Sequence, residues 1–346
     1  MSPRVVGRPG GAVSTLALLV CGLVLALLLV ALSAPRLLGV HGWSVVAHLV
    51  ALRGLVAVGL LTVAVVLVAG PWRRHLAIPA AVLVLAAGVQ VAVLADRGLT
   101  GAEPAALTAA QRPEGSVVVL VANTQGGVSA RDLAGLVAER GADVVALPET
   151  WPETAAEVVR LATADGRDLQ ALGRVAAGAD VTGATALLVD RSLGEYRWAA
   201  DLPTLRAGFT AVPTTGGGPA ITAVHTVAPV PGWMSAWRTE GPAVVAGCGA
   251  SPGAIVAGDL NSSLDHPAFD ALGASGCVDA AQVAGAAGLG TWPATLPRVL
   301  GTPIDHVLAD PEAWAVLRVA VLDPPAGTDH RVLEVVLVPA GSGDAG

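Results

Sequence analysis

Six short segments of this chain end an apolar run, or follow one closely, with side chains that can hold a metal ion or move a proton. They are Val121-Ala122-Asn123, Leu147-Pro148-Glu149, Val224-His225, Gly258-Asp259-Leu260-Asn261, Ile304-Asp305-His306-Val307 and Thr328-Asp329-His330. Carboxylates suit Mg²⁺, and a carboxylate or an imidazole can activate water for attack on a phosphate ester. Each segment alone has an ordinary structural explanation, such as a turn or a helix start. The combination therefore carries the prediction of hydrolytic chemistry.

The elements that must position these side chains are short buried strands. Continuous aliphatic runs predict strands at residues 117–122, 143–147, 184–189, 220–225, 254–258, 304–309, 315–321 and 332–338. Helical spacing predicts helices at residues 129–140, 152–164 and 233–246. Strands and helices do not alternate strictly, which favours an α/β or α+β sandwich over a barrel of parallel strands. A rigid sheet can direct groups at its strand ends into one cleft.

Three long apolar stretches precede these strands, at residues 12–34, 45–69 and 76–95. Each is close to the roughly 20 residues that cross a bilayer, so we expect three transmembrane helices. The first could be a signal peptide, but its length and the two later stretches favour an uncleaved anchor. Arginines before the first stretch and between the second and third predict a cytoplasmic amino terminus and an extracytoplasmic domain. We thus expect an anchor (1–95), a linker (96–115), a catalytic domain (116–340) and a flexible tail (341–346).

Arg53 lies inside the second apolar stretch. A charge within a span is often functional. The alternative, which we favour, is that the helix begins near Arg53 and the side chain extends outward to the interface.

Charge is distributed unevenly along the 346 residues, of which 53% are hydrophobic and 14% charged. This low charge content excludes an ordinary soluble protein. Residues 1–114 carry 8 Arg against 3 acids, and residues 115–346 carry 12 Arg against 24 acids, with no Lys anywhere. Nucleic-acid binding depends on Lys and Arg that neutralise phosphates. An acidic domain without a basic cluster makes nucleic acid an unlikely partner.

The combined segments resemble the endonuclease/exonuclease/phosphatase superfamily over residues 116–339. The Gly-Asp-Leu-Asn and terminal Asp-His motifs carry the resemblance, and Thr291-Trp292-Pro293 is similar to its bacterial branch. The resemblance implies a four-layer α/β/β/α sandwich of the deoxyribonuclease-I type, with two mostly antiparallel sheets and the site at one edge.

The resemblance also implies a role for each site residue. Glu149 would be the main ligand of Mg²⁺, or of Mn²⁺, assisted by Asn123 and Asp329. Asp259 would orient or deprotonate the attacking water, and Asn261 would hold that water or a phosphate oxygen. His330, oriented by Asp305, would stabilise the transition state, and His225 matches a second active-site histidine.

The chain departs from the family pattern at three positions. Pro303 stands where many relatives have a basic or polar residue, and His306 replaces a common aromatic residue. No acidic partner of His225 is identifiable from the sequence, so its role is less secure than that of His330.

The expected substrate is a lipid phosphate or pyrophosphate, because a tethered site meets lipid head groups at high effective concentration. Three apolar stretches before such a domain resemble the VanJ-like glycopeptide-resistance membrane proteins, which implies a phosphatase of a cell-wall lipid carrier. One alternative is a surface-anchored extracellular nuclease or phosphodiesterase. The other is a catalytically silent scaffold of the same fold.

Two of the three cysteines, Cys248 and Cys277, lie on either side of the Asp259 motif. An oxidising compartment would permit a disulfide between them. The sequence alone leaves open whether they are close enough, and their spacing is not that of a zinc site.

Overall fold

The computed structural model describes residues 11–71, 73–103, 105–201 and 206–341. All but the first residue of the predicted tail, 341–346, lies outside these ranges. The described part of the chain contains four N-terminal helices and a two-sheet catalytic domain.

The first sheet has six strands: β1 (Val117–Val121), β2 (Val144–Pro148), β3 (Leu169–Val175), β4 (Ala184–Asp190), β11 (Trp314–Leu322) and β12 (Val332–Pro339). Their order across the sheet is β11-β12-β1-β2-β4-β3. β1 and β2 are parallel, and the other neighbours are antiparallel. The predicted strands of this sheet are present, and β3 is an additional strand that its mixed sequence did not reveal.

The second sheet also has six strands: β5 (Tyr196–Asp201), β6 (Ala207–Pro213), β7 (Ile221–His225), β8 (Ile255–Asp259), β9 (Val278–Asp279) and β10 (Asp305–Ala309). Their order across the sheet is β5-β6-β7-β8-β10-β9. Here β7 and β8 are parallel and the remaining pairs are antiparallel. Both sheets are thus mixed, with antiparallel pairs in the majority.

The two sheets pack face to face, with helices on the outer faces. Along β1, Val119 and Val121 face the core between the sheets, whereas Val118 and Leu120 face the outer helices α5 (Ala130–Arg140) and α6 (Pro152–Ala164). This alternation follows from the two-residue period of a strand. Helix α7 (Met234–Gly247) covers the second sheet, and the short α8 (Ala280–Val283) follows β9. The architecture is the expected deoxyribonuclease-I-like α/β sandwich.

Four helices precede the sandwich: α1 (Gly11–Ser33), α2 (Ser44–Ala51), α3 (Arg53–Ala69) and α4 (Arg73–Arg97). The second apolar stretch is not the single helix that the sequence predicted, because the chain bends by 89° between α2 and α3. By length and composition, Leu76–Arg97 could cross a membrane, and the bent pair α2 and α3 could form a second candidate span. The shorter described segment Gly22–Ser33 is also apolar.

The segment after α4 follows the surface of the catalytic domain. The helix itself extends to Arg97, past the start of the predicted linker. The amide of Thr100 donates to the carbonyl of Gly285 (3.3 Å), and that of Ala102 donates to the carbonyl of Val319 (2.8 Å). A Cβ at Gly98 would lie 1.8 Å from the Gly285 carbonyl oxygen. The segment that follows α4 is therefore packed against the sandwich at close range.

Candidate active site

Neighbouring strands of the second sheet place three of the expected residues side by side. In the register of the sheet, His225 at the end of β7 pairs with Asp259 at the end of β8, and Asp259 pairs with Asp305 at the start of β10. Gly258 permits the close approach of β7 and β8, since a Cβ there would lie 1.9 Å from the carbonyl oxygen of Val224. Strand pairing alone therefore brings two carboxylates and an imidazole to one edge.

The first sheet contributes Asn123 and Glu149, which follow the parallel strands β1 and β2 at the same edge. Asn123 joins the two sheets, because its Nδ2 donates to Glu149 Oε1 (3.1 Å) and to Asp259 Oδ2 (3.0 Å). Its Oδ1 accepts a hydrogen bond from the amide of Gln125 (3.0 Å). The buried amide thus holds two carboxylates on either side of itself.

Asp259 ends β8, and Asn261 lies in the short loop that follows it. The amide of Asn261 donates to Asp259 Oδ1 (2.7 Å), and Asn261 Nδ2 donates to the carbonyl of Thr226 (2.8 Å). Burial, reinforced by the charge of Asp305, raises the pKa of Asp259. A carboxylate with raised basicity is suited to accept a proton from water.

His330 and Asp305 form a buried dyad. The distance from His330 Nδ1 to Asp305 Oδ2 is 3.0 Å, and His330 Nε2 lies 3.9 Å from Asp259 Oδ2. Burial alone would lower the pKa of His330, but Asp305, with smaller contributions from Asp259 and Asp329, raises it to about 9. The imidazole is therefore protonated at neutral pH.

His225 lies between the carboxylates of both sheets. Its Nε2 is 3.6 Å from Glu149 Oε1 and 4.0 Å from Asp259 Oδ2. Its buried Nδ1 has no hydrogen-bond partner among the described residues. An acidic group hydrogen-bonded to that nitrogen, which the sequence did not identify, is also not found in the described part of the structure.

Asp329 is held at the site by groups from two segments, one after β1 and one around Trp292. Its amide donates to Gln125 Oε1 (3.1 Å), and Trp292 Nε1 donates to Asp329 Oδ2 (3.0 Å). The hydroxyl of Thr328 donates to the carbonyl of Asn123 (2.7 Å), which ties the Asp-His motif to the end of β1. Trp292, noted in the sequence only for its family resemblance, thus orients an expected metal ligand.

Backbone strain is concentrated at this site. Among the described residues, the non-glycine residues with positive φ are Gln125 (50°), Glu149 (51°) and Asn261 (45°). All three line one cavity. Such conformations cost free energy and persist where the surrounding structure enforces them, commonly at functional sites.

The cavity has a volume of about 440 Å³ and is lined by Glu149, His225, Asp259, Asn261 and His330. Its other walls include residues that the sequence analysis missed: Ala47, His48, Ala51 and Leu52 from the N-terminal helices, and Arg206, Val227, Val230 and Trp233 from the domain. The guanidinium of Arg206 lies 4.7 Å from the centre of the Trp233 ring. No local motif distinguishes these residues in the sequence, so only the fold could find them.

His306, by contrast, has a structural role. Its Nδ1 lies 2.7 Å from Asp279 Oδ2, and its Nε2 lies 2.8 Å from the carbonyl oxygen of Ser262. Burial opposes protonation, but the charge of Asp279 and the hydrogen bond to it raise the pKa of His306. It is not among the residues that line the cavity.

The donor groups at the site fit a hard divalent cation. Glu149, Asn123 and Asp329 offer the carboxylate and amide oxygens that Mg²⁺ and Mn²⁺ accept. Asp329 Oδ1 is buried and has no hydrogen-bond partner among the described residues. Ligand atoms of Asp259, Asp305 and His330 also lie within 4.8 Å of one another and could hold a metal ion. Because the pKa of His330 is raised to about 9 and a metal ion binds only a neutral imidazole, we favour the first set.

The profile of the Endonuclease/Exonuclease/phosphatase family matches residues 120–330, which is more than half of the chain. The chain belongs to this family. It is therefore a hydrolase of a superfamily of metal-dependent phosphoesterases. The comparison with curated proteins finds no match.

Two solved structures show the fold of this family member. An endonuclease/exonuclease/phosphatase from Beutenbergia cavernae is 18% identical, with a TM-score of 0.51, and the match covers 66% of this chain and 72% of that one. The AP endonuclease LMAP from Leishmania major is 14% identical, with a TM-score of 0.52, covering 71% and 94% respectively. At these identities the likeness is one of fold alone.

Proposed function

We propose that this family member is a membrane-tethered, Mg²⁺-dependent phosphatase of a lipid phosphate or pyrophosphate at the outer face of the membrane. The observation that carries the proposal is the composition of the catalytic cavity. One side holds the catalytic groups, and another is an apolar wall that includes Ala47, Ala51 and Leu52 of the N-terminal helices. A phosphate attached to an apolar chain matches both surfaces.

The residues of the site divide the chemistry among them. Asp259, with its raised pKa, accepts the proton of the attacking water, and Asn261 holds that water or a phosphate oxygen. The protonated His330 donates to the phosphoryl oxygens as negative charge develops on them. Asp305 keeps the imidazole oriented and charged. His225 faces the same space from the second sheet.

A divalent ion held by Glu149, Asn123 and Asp329 would supply charge neutralisation at the phosphoryl group. The remaining steps belong to the protein's own groups. Asn123 keeps Glu149 and Asp259 at a fixed spacing through its two hydrogen bonds.

Three crossings of the membrane remain part of the proposal, with α3 in place of the longer second stretch. Its 17 residues span about 25 Å at 1.5 Å per residue, near the thickness of a hydrocarbon core. The C-terminal ends of α1 and α4 and the N-terminal end of α3 all meet near Arg53, beside the catalytic domain. This antiparallel arrangement supports a domain on one side of three spans, as in the VanJ-like architecture.

The extracytoplasmic placement is supported by a covalent bond. Cys248 and Cys277 form a disulfide, with their Cα atoms 6.1 Å apart. Disulfides persist in oxidising compartments and are rare in the cytosol. The same placement follows from the arginines that flank the apolar stretches.

The test compares two substrates with full-length protein in lipid vesicles and Mg²⁺. We expect release of inorganic phosphate from an isoprenyl pyrophosphate and none of the nicking of plasmid DNA that a nuclease would produce. Asp259→Ala should abolish the release. As a control, Asp323→Asn alters an exposed carboxylate that pairs with Arg298 and should keep wild-type activity.

Each of the other outcomes would support a different function for this protein. Plasmid nicking without phosphate release would establish the surface-anchored nuclease or phosphodiesterase. Absence of both activities together with absence of Mg²⁺ binding would establish the silent scaffold.

A further inference from the structure

The N-terminal helices meet the catalytic domain through buried charged side chains. Arg53 is only 2% exposed, and it donates to Asp265 from Nε (2.7 Å) and from Nη2 (2.6 Å). Arg97 donates to the same carboxylate at 2.8 Å. Helix α3 begins at Arg53, as the favoured interpretation of the sequence required, but the side chain is buried against Asp265 and does not extend outward. That part of the interpretation is wrong.

The same guanidinium also joins the helices to one another. Arg53 Nη1 donates to Gln90 Oε1 of α4 (2.5 Å) and to the carbonyl of Leu32 near the C-terminal end of α1 (3.1 Å). The negative end of the α1 dipole lies there, which favours a nearby cation. Burial would raise the pKa of Asp265, but the hydrogen bonds from Arg53 and Arg97 hold it well below its usual range. The carboxylate is thus ionised and shared by two arginines.

Asp265 belongs to the loop that follows Asp259 at the end of β8 and carries Asn261. The next residue, His266, contacts the helices as well, with its Nε2 3.0 Å from the carbonyl oxygen of Ala47 in α2. Its Nδ1 accepts a hydrogen bond from the amide of Ser263 (2.8 Å). A single loop therefore connects the proton-accepting carboxylate to three of the N-terminal helices, α2, α3 and α4.

The bend between α2 and α3 lies directly beside this connection. Leu52 separates the helices, and the 89° turn directs α2 along the cavity. Ala47 packs with Val227 and Trp237. The indole of Trp237 donates to the carbonyl of Asn261 (2.9 Å). The position of α2 is thus coupled to the catalytic loop through apolar contacts as well as through Arg53.

We propose that the Arg53–Asp265 pair is a positioning device that holds α2 against the catalytic cavity, where α2 binds the apolar chain of the substrate. The inference rests on the proposed function and deepens it. The anchor then does more than retain the enzyme at the membrane: it selects phosphate esters that carry a long apolar group over small soluble ones. Burial of each additional methylene against this wall favours binding.

The test uses two substrates with the same leaving-group chemistry, ethyl phosphate and dodecyl phosphate. Full-length protein in lipid nanodiscs with Mg²⁺ is assayed for kcat and KM on each. We expect the wild type to prefer dodecyl phosphate. Arg53→Lys keeps the charge but loses the two-pronged contact with Asp265. We expect it to reduce the preference by about tenfold or more, through a higher KM for dodecyl phosphate.

A second variant and a matched control accompany it. Ala51→Phe leaves the ion pairs intact and fills the half-buried wall of α2, so it should also reduce the preference. Asp270→Asn removes the charge from another ion pair between the helical segment and the domain, with Arg36, in which both side chains are nearly half exposed. Because Asp270 lies outside the cavity, this variant should retain both the activity and the preference.

The outcomes separate the two proposals. If the wild type hydrolyses ethyl phosphate but not dodecyl phosphate, the proposed function is wrong and this inference falls with it. If the wild type prefers dodecyl phosphate and Ala51→Phe, correctly folded by circular dichroism, retains that preference, only the inference is wrong. Unchanged preference in a folded Arg53→Lys variant would show that the Arg53–Asp265 pair does not position α2. If Arg53→Lys fails to fold, Ala51→Phe still decides whether α2 binds the apolar chain.

Discussion

His330 and Asp305 approach each other across the junction of two sheets, with Nδ1 and Oδ2 3.0 Å apart. Asp305 begins β10 of the second sheet, and His330 lies just before β12 of the first. The dyad therefore forms only when the sheets pack together. This makes the charge of the imidazole a product of the tertiary fold.

Asp305→Asn should lower kcat by roughly 10²- to 10⁴-fold with little change in KM, by analogy with the loss of an orienting aspartate beside a catalytic histidine. The amide cannot hold the imidazole in its charged form. Steady-state phosphate release measures the effect. The exposed Asp323→Asn provides the reference, and a wild-type kcat in Asp305→Asn would contradict the assigned role of the dyad.

Glu149→Gln should weaken Mg²⁺ affinity by about tenfold or more, because the neutral amide is a poorer ligand than the carboxylate. His330→Gln should have a much smaller effect, since His330 lies outside the favoured ligand set. Titration calorimetry with Mg²⁺, or electron paramagnetic resonance with Mn²⁺, measures both. The reverse order of effects would place the metal among Asp259, Asp305 and His330.

The His306–Asp279 pair should stabilise the folded protein less as pH rises. The pKa of His306 is raised in the folded protein above the ordinary value of 6.5. Its stabilising contribution is therefore fully present below about pH 6.5 and is lost as pH rises through the folded pKa. Denaturation midpoints of wild type and His306→Gln should converge as pH increases above that value. Parallel curves would show that the pair does not titrate in this way.

The disulfide predicts a simple thiol count. Denatured, unreduced protein should show one reactive thiol and reduced protein three, because the chain has three cysteines and two are joined. Closing a loop with a sequence separation of 29 residues stabilises the fold by about 3–4 kcal/mol in the chain-entropy model. Three reactive thiols before reduction would contradict both the bond and the oxidising location.

The sequence indicated which polar residues meet at one edge of the sheets because strand ends carry their own local signals. Asp259 follows an aliphatic run and is followed by Leu260 and Asn261, so its position at a sheet edge could be inferred from neighbouring residues. The hydrogen bonds of Asn123 to both Glu149 and Asp259 could not be inferred from neighbouring residues, because they depend on how two separate sheets meet.

For the N-terminal helices, the sequence showed that they exist but not how they bend or what they contact. Apolar composition indicated their presence but not the bend at Leu52, since α2 and α3 are almost equally hydrophobic. Arg53 stood out as a charge in an apolar run, yet its partner Asp265 is 212 residues away along the chain. A long-range ion pair leaves no periodic pattern in a single sequence. The apolar wall of the cavity was missed for the same reason.

The shared carboxylate of Asp265 has a consequence for the modularity of the protein. A substitute set of helices of equal hydropathy but without Arg53 and Arg97 would leave the buried carboxyl of Asp265 without its charged partners, at substantial cost. Neither the helices nor the catalytic domain can therefore be exchanged for an unrelated counterpart without rebuilding the junction.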